Sequence, residues 1–347
     1  MTITLLPLVS LILPIRNESA YIERCLNAIL AQDYPSDRME ILIADGMSTD
    51  NTRAILQKFI LHNSSFIILD NPAKIVPTGI NIALREAKGD IIIRVDGHTL
   101  IAPDYVRQCV EALQCTHADN VGGKMNAIGN NPFGKAVAHA TSTPFGIGGG
   151  RFHYSDEEEW VDTVYMGAWP RQVFEKIGLF DEELVRDQDD EFNYRLRASG
   201  GKILLSPKIK SEYTVRGAPG NLWRQYFQYG YWKVRVLQKH PRQMSLRQFV
   251  PPTFVLTLLV SFLAALLPFF RIFSLVIPLL YLLANLSASV ITAFQKGWKY
   301  LPLLPFVFAI LHLSYGLGFL IGLFKFANRW GDKVGKVPRW EQDPNQS

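Results

Sequence analysis

The C-terminal part of the chain contains three long stretches without Asp, Glu, Lys or Arg, at 249–270, 272–294 and 301–324. A helix needs about 20 apolar residues to cross the hydrocarbon core of a bilayer, and each stretch is long enough. Buried helices of a large soluble protein are the alternative, but too little other chain is present to cover three of them. The sequence therefore predicts an all-α transmembrane region after a soluble domain.

The charges around these stretches bear on how many of them cross. Only Arg271 separates the first two, which predicts a tight hairpin. Lys296 and Lys299 then place the next loop on the positive, cytoplasmic side. A third full crossing would carry the basic residues after 324 outside, so we interpret the third stretch as a re-entrant or broken helix. Its helix-breaking residues are Pro302, Pro305, Gly316, Gly318 and Gly322.

The net charge of +5 is modest, but many basic residues cluster just before the apolar stretches. They are Arg224, Lys233, Arg235, Lys239, Arg242 and Arg247. Such a cluster is typical of contact with an anionic cytoplasmic leaflet. No nucleic-acid-binding motif accompanies it, so we expect a membrane and no nucleic acid as partner. We place the protein in the cell (inner) membrane with its soluble domain in the cytoplasm.

The residues before the apolar stretches alternate short β-forming runs with amphipathic segments. Strands are predicted at 8–13, 40–44, 66–69 and 91–95, and helices at 19–31, 50–61 and 78–87. This alternation predicts an α/β domain with a mostly parallel sheet and helices on both faces. Ligands of such sheets bind beyond the carboxyl ends of the strands.

Four regions follow from these patterns. A soluble domain is predicted at 1–235 and a basic juxtamembrane linker at 236–248. Transmembrane or re-entrant helices are predicted at 249–324, and a basic-to-polar tail at 325–347. A long aromatic amphipathic helix at 221–238 joins the soluble domain to the linker.

Two acidic motifs stand at predicted strand ends. Asp45 ends the second strand, where its carboxylate could accept a hydrogen bond from a base ring or simply form a turn. Asp96 and His98 end the fourth strand, where both could turn toward one cation or form an ordinary turn. Mg²⁺ and Mn²⁺ prefer oxygen ligands, and imidazole is more acceptable to Mn²⁺.

A third acidic motif, at 186–191, opens a predicted helix. Helix capping, dipole compensation and a Glu191–Arg195 pair explain one or two of its acids. The others could include a general base aimed at an acceptor hydroxyl.

Gln228, Tyr231 and Trp232 lie on the aromatic helix before the membrane. Their aromatic faces could stack on sugar rings, or they could form an interfacial aromatic belt. The sequence does not favour one interpretation over the other.

The order of these motifs is more specific than any one of them. Val-Ser-Leu-Ile-Leu-Pro-Ile-Arg-Asn-Glu, beginning at Val9, and Ile-Ala-Asp-Gly-Met-Ser-Thr-Asp-Asn-Thr, ending at Thr52, resemble the opening of a family 2 glycosyltransferase. The Asp-Gly-His resembles that family's DxD motif, 167–182 its acceptor-side segment and 188–191 its Glu-Asp motif. The resemblance covers roughly residues 8–240, and the succinoglycan-biosynthesis branch is the most similar.

The resemblance implies a GT-A nucleotide-diphospho-sugar transferase fold and an inverting transfer that depends on a divalent metal, Mn²⁺ or Mg²⁺. It implies nucleotide-sugar contacts by Pro14, Arg16, Glu18, Asp45 and Asp96. It also implies metal binding by Asp96 and His98, Asp189 as the catalytic base, and acceptor contacts by Trp169, Gln228, Tyr231 and Trp232.

Three residues depart from the family's pattern. His98 replaces the usual second Asp of the DxD motif, and Gln188 replaces the Glu before the base. Tyr231 replaces the Arg of the Gln-x-x-Arg-Trp motif of processive synthases, which favours addition of a single sugar.

The predicted function is transfer of a hexose from a nucleoside-diphosphate sugar, expected to be a UDP-sugar, to a hydroxyl of a lipid-linked saccharide in polysaccharide biosynthesis. The alternatives are a polyprenyl-phosphate glycosyltransferase, a processive polysaccharide synthase and a non-catalytic nucleotide-binding membrane scaffold. The sequence leaves the oligomeric state open.

Overall fold

A computed structural model describes residues 6–61, 65–330 and 337–340. The chain forms two compact units. The sheet unit comprises 1–126, 155–213 and 335–347, and the helical unit comprises 127–154 and 214–334. This division differs from the predicted boundary at 235, because 127–154 and the aromatic helix group with the apolar helices. Much of the predicted tail, at 331–336 and 341–347, lies outside the described residues.

The sheet contains nine strands in the described part of the chain. They are β1 Val9–Ile15, β2 Met39–Asp45, β3 Phe66–Asp70, β4 Ile91–Arg94, β5 Thr99–Ile101, β6 Asn120–Ile128, β7 Glu159–Val161, β8 Ala168–Pro170 and β9 Ile203–Thr214. The order is β3-β2-β1-β4-β8-β6-β9-β5, with β7 paired to β9. The first four strands in this order are parallel, as predicted. The β4–β8, β6–β8, β5–β9 and β7–β9 pairs are antiparallel, so the sheet is mixed rather than mostly parallel.

Helices cover both faces of the parallel strands. The helices of this unit are α1 Ile22–Leu30, α2 Thr52–Ile60, α3 Val76–Glu86, α4 Tyr105–Thr116, α7 Gln172–Ile177 and α8 Gln188–Ala198. The intervening helices, α5 Pro132–Thr141 and α6 Pro144–Ile147, fall in the helical unit. β1 is buried along its whole length, and its alternate residues face opposite layers. Leu11 and Leu13 share a core with α1 and α4, whereas Pro14 faces Gly79 of α3.

The helical unit contains α5 Pro132–Thr141, α6 Pro144–Ile147, α9 Pro219–Lys239, α10 Leu246–Ala264, α11 Arg271–Ser274, α12 Val276–Lys296 and α13 Leu304–Lys325. Three of these helices, α10, α12 and α13, are long and apolar enough to cross a membrane. The predicted linker at 236–248 is largely the end of α9 and the start of α10.

The predicted break in the third apolar stretch is wrong, because α13 is one continuous helix of 22 residues. Pro305 lies in its first turn, where a missing backbone N–H breaks no helical hydrogen bond. Its glycines serve close packing instead. A Cβ built on Gly318 would lie 2.1 Å from the carbonyl oxygen of Phe227 on α9, and one on Gly316 would lie 2.5 Å from that of Pro251 on α10.

Candidate functional site

The loops after β1 and β2 are joined by backbone-to-side-chain hydrogen bonds. The N–H of Asn17 donates to Ser48 Oγ at 2.9 Å, and the N–H of Thr49 donates to Asn17 Oδ1 at 2.8 Å. The N–H of Glu18 donates to Thr52 Oγ1 at 2.9 Å. These hydrogen bonds hold the two loops together at the carboxyl edge of the sheet.

Asp45 is the last residue of β2 and is fully buried. Its carboxylate accepts hydrogen bonds from the Ser48 hydroxyl at 2.5 Å and from Arg53 Nε at 2.5 Å. Arg53 also pairs with Asp70, the last residue of β3. This geometry supports the turn-forming interpretation of Asp45, and its contact with a nucleotide base stays a prediction.

A buried arginine joins the two other predicted carboxylates. Arg94, the last residue of β4, donates from Nε to Asp96 at 2.8 Å and from Nη1 to Asp189 at the start of α8. Only 6% of the Arg94 side chain is exposed, against 15% for Asp96 and 38% for Asp189. The structure thus brings together two predicted residues that are far apart in the chain.

The electrostatics of this triad follow from burial and charge. Burial lowers the pKa of Arg94, but the carboxylates of Asp189 and Asp96 more than compensate and raise it, so the guanidinium stays charged. Burial raises the pKa of Asp189 above its usual value, although Arg94 opposes this shift. The nearby carboxylates of Asp96 and Asp190 raise it further. Asp189 is therefore a stronger base than an ordinary surface aspartate.

His98 lies on the turn after β4 and is paired with the loop after β1. Its Nδ1 is 3.0 Å from Glu18 Oε1, and its ring packs edge-on against Tyr213 at 5.3 Å. A Cβ on Gly97 would lie 3.1 Å from Glu18 Cγ, so the small residue lets the turn approach. The structure thus places Glu18 beside His98, a partnership that the sequence did not indicate.

Sequence reasoning missed two residues of this edge. Arg94 is the only charged residue of the buried strand Ile91–Arg94. An unpaired buried charge is costly, so its position alone indicates that a carboxylate partner lies nearby. Tyr165 is hydrogen-bonded to Thr99 at 2.7 Å and lies 3.4 Å from Asp96 Oδ2. Tyr165 lies in an irregular segment without helical or strand periodicity, so the sequence did not indicate it.

Comparison with known proteins identifies the family. A sequence profile described as "Glycosyl transferase family 2" matches residues 10–178. A relative from Methanococcus voltae is 31% identical over 325 residues, which cover 91% of this chain and 97% of the relative. The chain belongs to glycosyltransferase family 2. The relative is named dolichyl N-acetyl-alpha-D-glucosaminyl phosphate 3-beta-D-2,3-diacetamido-2,3-dideoxy-beta-D-glucuronosyltransferase.

Two further similarities cover nearly the whole glycosyltransferase. Succinoglycan biosynthesis protein ExoA of Rhizobium meliloti (strain 1021) is 29% identical over 321 residues, or 92% of this chain and 96% of the relative. The solved structure of mannosyltransferase PcManGT from Pyrobaculum calidifontis, in complex with GDP-Man and Mn²⁺, has a TM-score of 0.60 at 18% identity. That match covers 93% of this chain and 88% of the other. The predicted family and GT-A fold are confirmed.

The two residues predicted to bind a metal, Asp96 and His98, lie on the turn that follows β4. Among the described residues, no group of three His, Cys, Asp or Glu side chains could hold an ion alone. Mg²⁺ sites of transferases commonly use one or two carboxylates and take their other ligands from substrate phosphates and water. With Nδ1 of His98 facing the Glu18 carboxylate, Nε2 is the nitrogen suited to coordination. Asp96 and His98 are the residues that would hold such an ion, and metal binding by them stays a prediction.

Two predicted ligand contacts are corrected by burial. Trp169 is only 2% exposed and packs edge-on against Phe174, Phe180 and Phe192, so its ring belongs to the core rather than to an acceptor site. Pro14 is buried within β1 rather than in the loop that follows it. Both residues support the site indirectly, through the strands that carry it.

Arg16 is exposed directly after β1. The three other predicted acceptor residues, Gln228, Tyr231 and Trp232, lie on α9 in the helical unit. The rings of Tyr231 and Trp232 pack on Phe326, at 4.9 and 5.7 Å. Both side chains, like Gln228, are partly buried. Packing against protein explains the two aromatic residues without a sugar, so acceptor binding by these residues stays a prediction.

Proposed function

We propose that this glycosyltransferase transfers a hexose, with inversion, from a nucleoside-diphosphate sugar to a hydroxyl of a lipid-linked saccharide in glycan biosynthesis. The observation that carries the proposal is the Arg94 bridge, which holds Asp189 beside Asp96 at the carboxyl edge of the sheet. This edge is where ligands of open α/β sheets bind. We expect the donor to be a UDP-sugar. A GDP-sugar is the alternative, because the similar mannosyltransferase structure contains GDP-Man.

In the proposed reaction, the acceptor oxygen attacks the anomeric carbon while the bond to the diphosphate breaks. The nucleoside diphosphate leaves with the bonding electrons, and the Asp189 carboxylate takes the hydroxyl proton. The raised pKa of Asp189 suits it to this step. When bound, a divalent cation supplies charge neutralisation for the leaving diphosphate. Arg94 holds Asp189 in place, so the base does not have to be reoriented when substrates arrive.

Two observations support a lipid-linked acceptor. Three helices of this chain are candidates for crossing a membrane, which would hold the enzyme beside such a substrate. The name of the Methanococcus voltae relative includes a dolichyl-linked sugar phosphate. We place the sheet unit at the cytoplasmic face of the cell membrane, because basic residues accumulate at the ends of the apolar segments.

Replacing Asp189 with Asn tests the proposal. The amide cannot accept the proton, so we expect kcat to fall about 10²–10⁴-fold while the donor still binds. The assay measures nucleoside diphosphate release from a panel of donors, with lipid-linked saccharides extracted from the source membranes as acceptors. Asp190→Asn, on the same turn of α8, is the matched control and should retain most of the activity.

Other outcomes would point to different functions. If Asp189→Asn loses little activity, the acceptor is already an anion, as polyprenyl phosphate is. Long products from single encounters would indicate a processive synthase. No release of nucleoside diphosphate with any donor and acceptor would indicate a nucleotide-binding scaffold instead of an enzyme.

A further inference from the structure

We propose that only α10 and α12 cross the membrane, as a hairpin, and that α13 is the central helix of the helical unit and stays on the same side as the sheet unit. The three helices have similar length and composition, but their surroundings within the chain differ. The following contacts distinguish α13 from the other two.

The end of the chain returns to the sheet unit after α13. The carbonyl of Pro338 accepts a hydrogen bond from the N–H of Leu179 at 2.9 Å. The ring of Trp340 stacks on Phe174 at 5.9 Å, and the Arg171 guanidinium lies over it at 5.3 Å. The segment after α13 therefore folds with the domain that precedes α10. Both must lie on one side of the membrane, which requires an even number of crossings.

Other parts of the chain cover more of α13 than of α10 or α12. Half of its apolar window is buried, against 11% for α10 and 22% for α12. Phe306 packs on Phe133 of α5 at 6.4 Å, and Phe308 packs on Phe145 of α6 at 5.0 Å. An all-apolar helix is typical of a core helix as well as of a membrane span, and these contacts favour the core.

The long contact with α9 favours a position of α13 outside the hydrocarbon. Cβ atoms on Gly318 and Gly322 of α13 would lie 2.1 and 2.7 Å from backbone oxygens of α9, and one on Gly230 would meet α13 at 2.0 Å. α9 carries the exposed Arg224 and the buried Arg235, and a charged side chain in the bilayer centre is costly. α13 also meets α10, but at Pro251, near the start of that helix, whereas its contact with α9 extends from Gly318 to Gly322. We therefore infer that α13 stays with α9, outside the hydrocarbon.

By contrast, the hairpin of α10 and α12 presents a continuous apolar surface. Large side chains are strongly exposed on both helices and at the turn between them: Phe262, Leu263, Leu266, Phe269, Ile272, Leu279 and Leu283. A bilayer core is the partner that such a surface fits. Arg271 is the single charge at the turn. The chain is more basic at both ends of α13, with Lys296 and Lys299 before it and Lys325 and Arg329 after it, as expected for two cytoplasmic ends.

Site-directed cysteine labelling tests this arrangement in the full-length protein. Cys115 is exposed and reports on the sheet unit, while the two other cysteines are buried. In a Cys115→Ser background, single cysteines replace Phe269 at the hairpin turn, Lys299 and Asn328 on either side of α13, and Arg339 in the tail. A membrane-impermeant maleimide is applied to intact cells and, in parallel, to permeabilised cells.

We expect the Phe269→Cys reporter to be labelled on the opposite side from the other four. Labelling of Lys299→Cys and Asn328→Cys from opposite sides would show that α13 crosses and would overturn the proposal. Labelling of the Phe269 position from the same side as Cys115 would equally overturn it, because the hairpin would not cross. The readout requires no activity, so it stands or falls separately from the proposed reaction and from the cytoplasmic orientation.

Discussion

In the sheet unit, charged side chains join strand ends that are far apart in the chain, whereas in the helical unit the two helices α9 and α13 meet backbone against backbone at glycines. Arg94 holds two carboxylates at the end of β4, and Arg53 joins the ends of β2 and β3. In the helical unit, Gly230 and Gly318 let α9 and α13 approach until a methyl group would not fit between them. The contacts at the strand ends require charged side chains, whereas the contact between α9 and α13 requires that Gly230 and Gly318 have no side chain.

These two kinds of contact predict different responses to substitution. Removing side-chain atoms should destabilise the sheet unit, because its packing and ion pairs lose their partners. Adding atoms at the α9–α13 contact should destabilise the helical unit, because overpacking forces the two helices apart.

The largest effect is expected for Trp169→Ala in the sheet unit. The cavity left among the three phenylalanine rings should lower the free energy of unfolding by about 3–5 kcal/mol. Chemical denaturation of the detergent-solubilised protein measures this loss. Trp160→Ala is the control, because that ring is 54% exposed. If Trp169 contacted the acceptor instead, KM for acceptor would rise and stability would not change.

A smaller effect is expected for Gly230→Ala in the helical unit. Its new Cβ would lie 2.0 Å from the carbonyl oxygen of Tyr315, so the helices must separate, at a cost of about 2 kcal/mol. Gly220→Ala on the same helix is the control, since no atom lies within 4 Å of the built Cβ. Thermal unfolding of both variants decides the comparison, and equal melting temperatures would contradict the close contact.

The smallest effect concerns the pH dependence of the reaction. Activity should fall as pH falls through the raised pKa of Asp189, because the base must be ionised. Asp190 contributes to raising that pKa, so Asp190→Asn should extend activity to lower pH. The pH profile of kcat/KM measures the acid limb in both proteins. A shift toward higher pH in the variant would show that Asp189 is not the group that titrates.

Local patterns predicted the elements well. The aromatic helix was predicted at 221–238 and spans Pro219–Lys239, and the third apolar stretch, predicted at 301–324, forms a helix at Leu304–Lys325. Both predictions rest on periodicity and apolar length, which neighbouring residues determine. Strands β1 to β4 were predicted correctly for the same reason.

Long-range partners could not be predicted in this way. The sequence indicated Asp96 and Asp189 as separate acids, but the arginine that joins them depends on how β4 and α8 meet in space. Trp169 was placed at a ligand because family motifs mark positions without showing which way a ring points. The glycines of α13 were interpreted as breaks, since a helix sequence does not show what packs against it.

The docking of Trp340 on Phe174 has a consequence for biosynthesis. Trp340 follows the three long apolar helices in the chain, so it is synthesised after them. Until then the sheet unit lacks this ring of its aromatic cluster. Nascent chains arrested before Trp340 should therefore be cleaved by proteases faster than chains that extend past it.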